Sequence, residues 1–200
     1  VFGSDDSFVT RVTMMNWVNT VNLGTGWLAT AGLELQRQSA VATTTSAFGS
    51  PYDVRRNGRS VFAGLEGHAG PGDIQVNVRH DAVGTLQENT GYVGYGLPVT
   101  DAVKLIANVS TAFNAPPLGY LFAPVFGNPR LQPEKARSKE IGLQYDRAGH
   151  LLRVTLFDTR VTDQLVYDTA TFAFANIDRT RNQGAELSYQ GRIGSTDLRA

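Results

Sequence analysis

Polar and apolar residues alternate along most of this chain, and a period of two specifies extended strands with one greasy side and one wet side. From Trp27 onward, Trp27, Ala29, Ala31, Leu33 and Leu35 fall on one side, while Thr30, Gly32, Glu34 and Gln36 fall on the other. The pattern returns with Val61, Ala63 and Leu65, with Ile74, Val76 and Val78, and with Val93, Tyr95 and Leu97. It recurs in Val103, Leu105, Ala107 and Val109, in Ile141, Leu143 and Tyr145, and in Ala185, Leu187 and Tyr189. Residues 151–161 fit less well, since Leu151 and Phe157 share a side with Arg153 and Thr155, and residues 7–21 are also imperfect. The alternation predicts an all-β chain, an antiparallel meander of about nine to ten strands with no convincing helix.

Connector lengths add a second constraint. Short connectors, "NLGTG" at Asn22, "AGPGD" at Ala69, "LPVTD" at Leu97, "DRAGH" at Asp146 and "GRIGST" at Gly191, carry the Gly, Pro and Asp that bend a chain tightly. Between them the sequence places long ones, from Ser39 to Gly58, from Asp81 to Thr90, from Asn114 to Arg137, and from about Thr162 to Arg181. Strict long/short parity puts tight turns at one edge of the sheet and long loops at the other. That is the arrangement of an outer-membrane barrel, whose short turns face the periplasm and whose long loops face outside. A soluble half-buried sheet remains the alternative reading of the alternation by itself.

Composition narrows the function classes. With zero formal net charge and 42% hydrophobic residues, the 200-residue chain is too apolar for disorder and too balanced for a nucleic-acid-binding tail. It has no run long enough for a membrane-spanning helix, which says nothing about strands, since a spanning strand needs only about 9 to 11 residues. The absence of Cys rules out disulfides and thiolate metal sites. His68, His80 and His150 lack metal-ligand spacing, and Asp5, Asp6, Asp163 and Asp168 form no calcium loop, so no metal is expected. No nucleophile elbow or cofactor fingerprint is present, and the chain is not expected to be an enzyme.

The stretch "STAFNAPPLGYLFAPVFGNPRLQPEKARSKEIGLQY", Ser110 to Tyr145, resembles a signature of TonB-dependent outer-membrane receptors. Asn128, Pro129, Leu131, Pro133, Glu134, Glu140 and Gly142 stand at the matching positions. Farther on, "FDTRVTDQLVYD" and "ANIDRTRNQGAELSYQG" are similar to the family's next hairpin, with Asn176, Arg181, Gly184 and Glu186 in place. Within the family the likeness extends to cobalamin transporters through "FGNP-L-PEK" and "YDVRRNGRSVFAGLEG". The resemblance implies a transmembrane β-barrel of 22 strands in the bacterial outer membrane, filled by an N-terminal plug and driven by contact with TonB. Residues 1–200 would then be a partial barrel domain, with plug, TonB-contact region and C-terminal strands absent.

The implied role is binding and import of cobalamin or a similar large nutrient. The alternatives are a ferric-siderophore receptor, a passive porin or another outer-membrane barrel protein. The implied partners are the transported ligand, TonB and outer-membrane lipid, with no nucleic acid. On the longest loop, Tyr120, Phe122 and Phe126 are the candidates for stacking on a ligand, the competing role being a self-packed loop core. Tyr95 and Tyr145 are candidates for an interfacial aromatic girdle. Open edges in lipid would leave backbone groups unpaired, so a lone fragment is expected to curl into a smaller barrel or pair with a second copy. Pro129 and Pro133 cannot donate ladder hydrogen bonds, so they keep the loop unpaired until the chain re-enters the sheet near Glu134.

Overall fold

The computed structural model describes residues 5–44, 51–124 and 126–199. Ten strands follow in chain order: β1 (Asp6–Gly24), β2 (Trp27–Thr44), β3 (Tyr52–Ala69), β4 (Gly72–Val83), β5 (Leu86–Thr100), β6 (Val103–Asn114), β7 (Glu134–Arg147), β8 (His150–Asp168), β9 (Ala173–Ile193) and β10 (Thr196–Arg199). One turn of helix, α1 (Leu118–Phe122), interrupts the loop between β6 and β7 and is the departure from the expected helix-free chain. Each strand pairs with its sequence neighbour, so the meander forms one sheet in the order β1 to β10.

The five short connectors all become two-residue turns at one edge of the sheet, at 25–26, 70–71, 101–102, 148–149 and 194–195. Two of them have both central residues at positive φ, Thr25 and Gly26 at 51° and 81°, and Ala148 and Gly149 at 53° and 78°. That is the turn whose twist matches the twist of the flanking strands.

The opposite edge corrects the expected parity. The segment Asp81–Thr90 is no long loop: Val83 pairs with Leu86 around a two-residue turn led by Gly84, at φ 62°. The expected loop from Thr162 to Arg181 is mostly a hairpin, since β8 and β9 stay paired as far as Asp168 and Ala173. Likewise β2 runs to Thr44 and β3 begins at Tyr52, and residues 45–50 of that connector lie outside the described residues. The physical reason is common to all three. A strand wet on both sides needs no alternation, so its polar residues read as loop.

The direction of the greasy side is the finding on which the architecture rests. The apolar members of each alternating set face outward and are exposed or half-exposed, the most open including Val61 at 57%, Leu143 at 52% and Leu187 at 68%. The polar members lie on the concave side, and Ser60 and Asp81 are among the most buried side chains described. Buried hydrophobic residues among those described are few, Ala40, Ala42, Leu118, Ala123 and Leu131, and three of them belong to the β6–β7 loop. A water-soluble protein does not present contiguous apolar surface on this scale. The sheet is therefore inverted, with hydrocarbon as its outer solvent.

The outward belt also reveals the strand tilt. One hydrogen-bonded row runs through Val109, Val93, Val76, Leu65 and Ala29. Val109 is the last apolar outward residue of β6 before Thr111, whereas on β2 the belt continues to Leu35 before Arg37. Its boundary thus slips six residues, Ala29 to Leu35, over the four steps from β6 to β2. At ~3.3 Å per residue and ~4.8 Å per step, a level boundary requires strands tilted by about 45°, as in a membrane barrel.

Aromatic rings mark the turn-side boundary of the belt. Trp27 lies over Gly67, where any added Cβ would overlap the indole. Tyr95 Oη donates to the Ala69 carbonyl at 2.9 Å, and Tyr189 Oη sits 2.7 Å from His150 Nδ1. Tyr145 is exposed on the same outward face. Rings that are apolar in body and polar at the tip suit this interface, so Tyr95 and Tyr145 stand where a girdle needs them.

The sheet is open. β1 and β10 are its edges and do not pair, so the expected curling into a smaller closed barrel is not found. The edges could not satisfy each other: β10 offers four described residues, against nineteen along β1.

Candidate functional site

The concave face and the loop folded over its upper end form the candidate site. On β4, alternation places Arg79 and Asp81 inward beside Glu34 of β2 and Ser60 of β3. Arg79 Nε donates to both Asp81 oxygens at 2.9 and 3.0 Å, and its Nη2 donates to Glu34 at 2.9 Å and to Ser60 Oγ at 2.8 Å. Ser60 Oγ in turn donates to Asp81 at 2.6 Å. The Arg79 guanidinium also lies 5.7 Å from the centre of the Phe62 ring. A single arginine therefore offsets two carboxylates, and each oxygen of the buried Asp81 has a donor. Lower on the wall, Asp73 accepts from Lys104 Nζ at 2.6 Å and lies 2.6 Å from His68 Nδ1.

The inner face is the acidic one. On β2 to β9, Glu34, Glu66, Asp73, Asp81, Glu88, Glu134, Glu140 and Glu186 are among the acids at inward positions, against cations that include Arg56, Arg79, Lys104 and Arg153. A groove of about 380 Å³ opens above the Arg79 cluster, lined by Gln36, Gln38, Arg56, Thr90 and Asn114 among others. Such a wall can hold polar segments or hydrated ligands by hydrogen bonds. Among the described residues it has no group of three or more His, Cys, Asp or Glu placed to hold a metal ion.

The loop 115–133 is pinned by Arg56 and by three residues the family signature singles out, Asn128, Asn176 and Glu134. Arg56 reaches up from the wall, donating to the Pro116 carbonyl at 2.8 Å and to Gln38 Oε1 at 2.6 and 3.1 Å. Asn128 Nδ2 donates to the Phe174 carbonyl at 2.9 Å, while its own Oδ1 accepts from the Arg130 amide at 3.0 Å. Asn176 closes the far side: its Oδ1 accepts from the Gln132 amide at 2.9 Å, and its Nδ2 donates to the Gln132 carbonyl at 3.0 Å and the Asp163 carbonyl at 2.6 Å. Glu134 accepts from the Leu165 amide and from Asn114 Nδ2, both at 2.8 Å. Backbone in a loop needs partners, and these amides and carboxylates supply them.

The aromatic loop residues separate into two environments. Tyr120 stacks on Phe174 with ring centres 3.8 Å apart, and Phe126 meets the same ring edge-on at 6.5 Å. Tyr167 adds a second edge contact at 5.5 Å, so Tyr120 and Phe126 belong to an aromatic cluster shared with β8 and β9. Phe122 does not join it. It is 45% exposed and lines a cleft of about 470 Å³ with Leu118, Leu121, Leu131 and the short β4–β5 turn. Sequence reasoning missed Phe174, Arg56 and Arg79. The two arginines carried a signal, since each stands at an inward position of an otherwise neutral or acidic face.

The comparisons agree with this geometry. The solved copper transporter OprC superposes with a TM-score of 0.77 at 16% identity, over 96% of this chain and 36% of that one. The siderophore receptor PirA from Pseudomonas aeruginosa gives 0.78 at 16% identity, covering 95% and 38%. The hemophore receptor HasR from Serratia marcescens, in complex with its hemophore HasA and heme, gives 0.73 at 16% identity, covering 96% and 40%. At such identities the likeness is one of fold, and the chain spans about two-fifths or less of each relative's length. The ten strands follow an arc of a much wider barrel, which accounts for the open edges. The family described as TonB dependent receptor-like, beta-barrel matches residues 1–200 in full, and the chain belongs to that family.

Proposed function

We propose that this chain is a stretch of wall from a TonB-dependent importer in the bacterial outer membrane, serving a large metal-chelate nutrient, cobalamin or a ferric siderophore. The inverted polarity carries this reading: an outward apolar belt on strands tilted by about 45°, with a charged and hydrogen-bonded concave face. A wall of this kind positions loops and encloses a lumen, which is a binding and transport role. In the intact protein a plug would lie against the Arg79 face, and TonB would be contacted by a region upstream of the wall.

Ligand recognition would fall to the outward loops. Phe122 is the aromatic residue of loop 115–133 best placed to meet a ligand, being exposed beside a cleft, while Tyr120 and Phe126 hold the loop in shape around Phe174. The test is a binding titration on the full-length protein with cobalamin and with ferric siderophores, repeated on Phe122→Ala. Saturable binding of one chelate, weakened in the variant, supports the reading. Steady ion conductance through a planar bilayer, with no chelate bound, would instead indicate a passive porin.

A further inference from the structure

The upper rim of the wall has a notch. The β4–β5 hairpin ends at Gly84 and Thr85, where Val83 pairs with Leu86, while β3 beside it runs on from Gly58 to Tyr52 with β2 as its remaining partner. On the other flank β5 and β6 stay laddered as far as Tyr92 and Ser110. Above that pair the Thr111 hydroxyl takes over, accepting from the Gly91 amide at 2.9 Å, and β6 continues to Asn114 against β7. Loop 115–133 bridges the notch: it leaves β6 on one flank and packs α1 against β2 and β3 on the other.

Beneath the loop lies the cleft of about 470 Å³ that Phe122 lines. Alternation assigns Arg55, Asn57 and Arg59 to the outward face of β3 and Arg56 to the inward face, yet all four line it. A pocket can meet both faces of one strand only where the sheet beside that strand has ended. The cleft is therefore set in the wall, and its volume falls within the range of about 300–1,000 Å³ that small-molecule sites occupy.

The charge in this cleft is unbalanced. Arg79, lower on the same inner face, holds two carboxylates, whereas Arg56 holds none: its Nε and Nη2 donate to the neutral Gln38 amide oxygen and its Nη1 to the Pro116 carbonyl. Its stem lies against Gly84, where an added Cβ would meet Cγ and Cδ at 3.4 Å, so the half-buried guanidinium is held in place from below. A guanidinium has five N–H groups, and these three bonds leave two unspent. Arg59 has no ion pair among the described residues, and Arg55 is occupied by Asp53 at 3.2 Å. No acid lines the cleft, whose remaining lining includes Leu86, Leu118, Leu121, Phe122 and Leu131. A cation drawn out of water without a counterion is costly, and an anion brought to it recovers that cost.

We propose that this cleft is a binding site for a small amphiphilic carboxylate, an aromatic or short aliphatic acid whose carboxylate accepts from the unspent N–H groups of Arg56 and whose apolar body lies on Leu121, Phe122 and Leu131. One uncompensated half-buried cation matches one negative charge, and the leucine and phenylalanine surface disfavours a fully hydrated anion such as inorganic phosphate. The exposed Arg59 attracts the acid to the mouth without fixing it. Once bound, the acid touches both β3 and the loop, so it fastens loop 115–133 to the wall. The site adds to the transport reading a ligand held by the wall, and it does not depend on which chelate is carried.

The test is equilibrium dialysis of the full-length receptor in phosphatidylcholine nanodiscs against 2-naphthoate, with binding to empty discs subtracted. Saturable binding of one naphthoate per receptor is expected, with the neutral 2-naphthamide at least about tenfold weaker. Arg56→Gln should weaken naphthoate by about 10- to 100-fold, as loss of a charged hydrogen-bonding partner does, and Arg59→Gln by less than about fivefold. Arg179→Gln, on β9 and remote from the cleft, should bind like wild type. Naphthoate should also slow proteolysis within residues 115–133. Absence of saturable binding, equal affinity for the amide, or equal affinity in Arg56→Gln would each overturn the proposal. Because Arg56→Gln also frees the Pro116 carbonyl, Leu86→Glu supplies a second variant that keeps the arginine and places a carboxylate in the cleft. It should abolish naphthoate binding while the loop stays protected, and undiminished binding there would refute the site. The probe is no chelate, so the outcome is separable from the titration that tests transport.

Discussion

The lower and upper halves of the wall are built from the same strands in continuous register, yet they obey different sequence rules. Between the turns and the belt edge, β2 alternates Trp27, Ala29, Ala31, Leu33 and Leu35 outward with polar residues inward. Above the edge the same strand reads Arg37, Gln38, Ser39 and stays paired with β3 as far as Ala42. On β8 the change falls between Leu156 and Asp158, and pairing with β9 runs on for ten residues beyond it. The backbone ladder is indifferent to what surrounds it, provided each group is paired. The side chains are not, because hydrocarbon outside the lower half excludes charge while water outside the upper half admits it. Alternation is thus a trace of the solvent, and the ladder is a trace of the fold.

The largest effect that could break this comparison is a charge placed on the outward lower wall. Leu65→Arg, in mid-belt on β3 four residues below the edge at Val61, should destabilise the intact barrel by about 2–4 kcal/mol, the range for arginine at the bilayer midplane. Equilibrium refolding into lipid vesicles across a urea series would measure it. A loss below about 0.5 kcal/mol would mean that Leu65 does not face hydrocarbon.

Much of the fold was legible for the same reason that part of it was not. Ile74, Val76 and Val78 announce β4 because lipid demands them, and the turn-side edge was readable from Gly and Pro in places such as Gly70–Pro71. Glu88, Asn89 and Thr90 hid the upper part of β5, because both faces of it are wet and nothing in their polarity distinguishes ladder from loop. In the candidate site, Asn128, Glu134 and Asn176 were conspicuous through family likeness, and the structure gives their physical task as holding loop 115–133. Phe174 was invisible because its role is a contact with Tyr120 across 54 residues of chain, which no local pattern encodes.

A second effect tests the inner side of the lower wall. Arg79→Met removes the cation shared by Glu34 and Asp81 and leaves the buried Asp81 with Ser60 as its remaining side-chain donor. Breaking a fully buried pair costs about 3–5 kcal/mol, and because Arg79 itself is a third exposed, about 2 kcal/mol is expected here. The companion variant Asp81→Asn should cost less, since it removes charge rather than stranding it. Urea midpoints of the two variants in the intact barrel would rank them, and the reverse order would show that the cluster is solvated.

The upper half offers a smaller and more local test. Asn176→Ala removes three hydrogen bonds to the backbone of Gln132 and Asp163, whose groups can turn to water instead. The global loss should be about 1 kcal/mol. Limited proteolysis within residues 115–133 should nevertheless accelerate severalfold, because the clamp holds a loop while the ladder beneath it stays intact. Unchanged cleavage would assign the loop's order to the Tyr120–Phe174 stack, and Phe174→Ala would then be the variant that releases it.

The smallest expected effect is the most direct check on where the boundary lies. Thr111 follows Val109 on the outward side of β6 and is the first outward position above the belt there. Thr111→Arg should cost between about 0 and 1 kcal/mol, as arginine does near the interface. Ala107→Arg, four residues lower on the same strand and face, should approach the mid-belt value. Strand and face are shared while the neighbours differ, Tyr95 and Ile141 beside Ala107 and Arg137 beside Thr111, so the uncharged variants Thr111→Gln and Ala107→Gln are subtracted to isolate depth in the membrane. A flat profile from 107 to 111 would show that the outward side of β6 meets one solvent along its whole length, and the contrast between the two halves of the wall would then need a cause other than lipid.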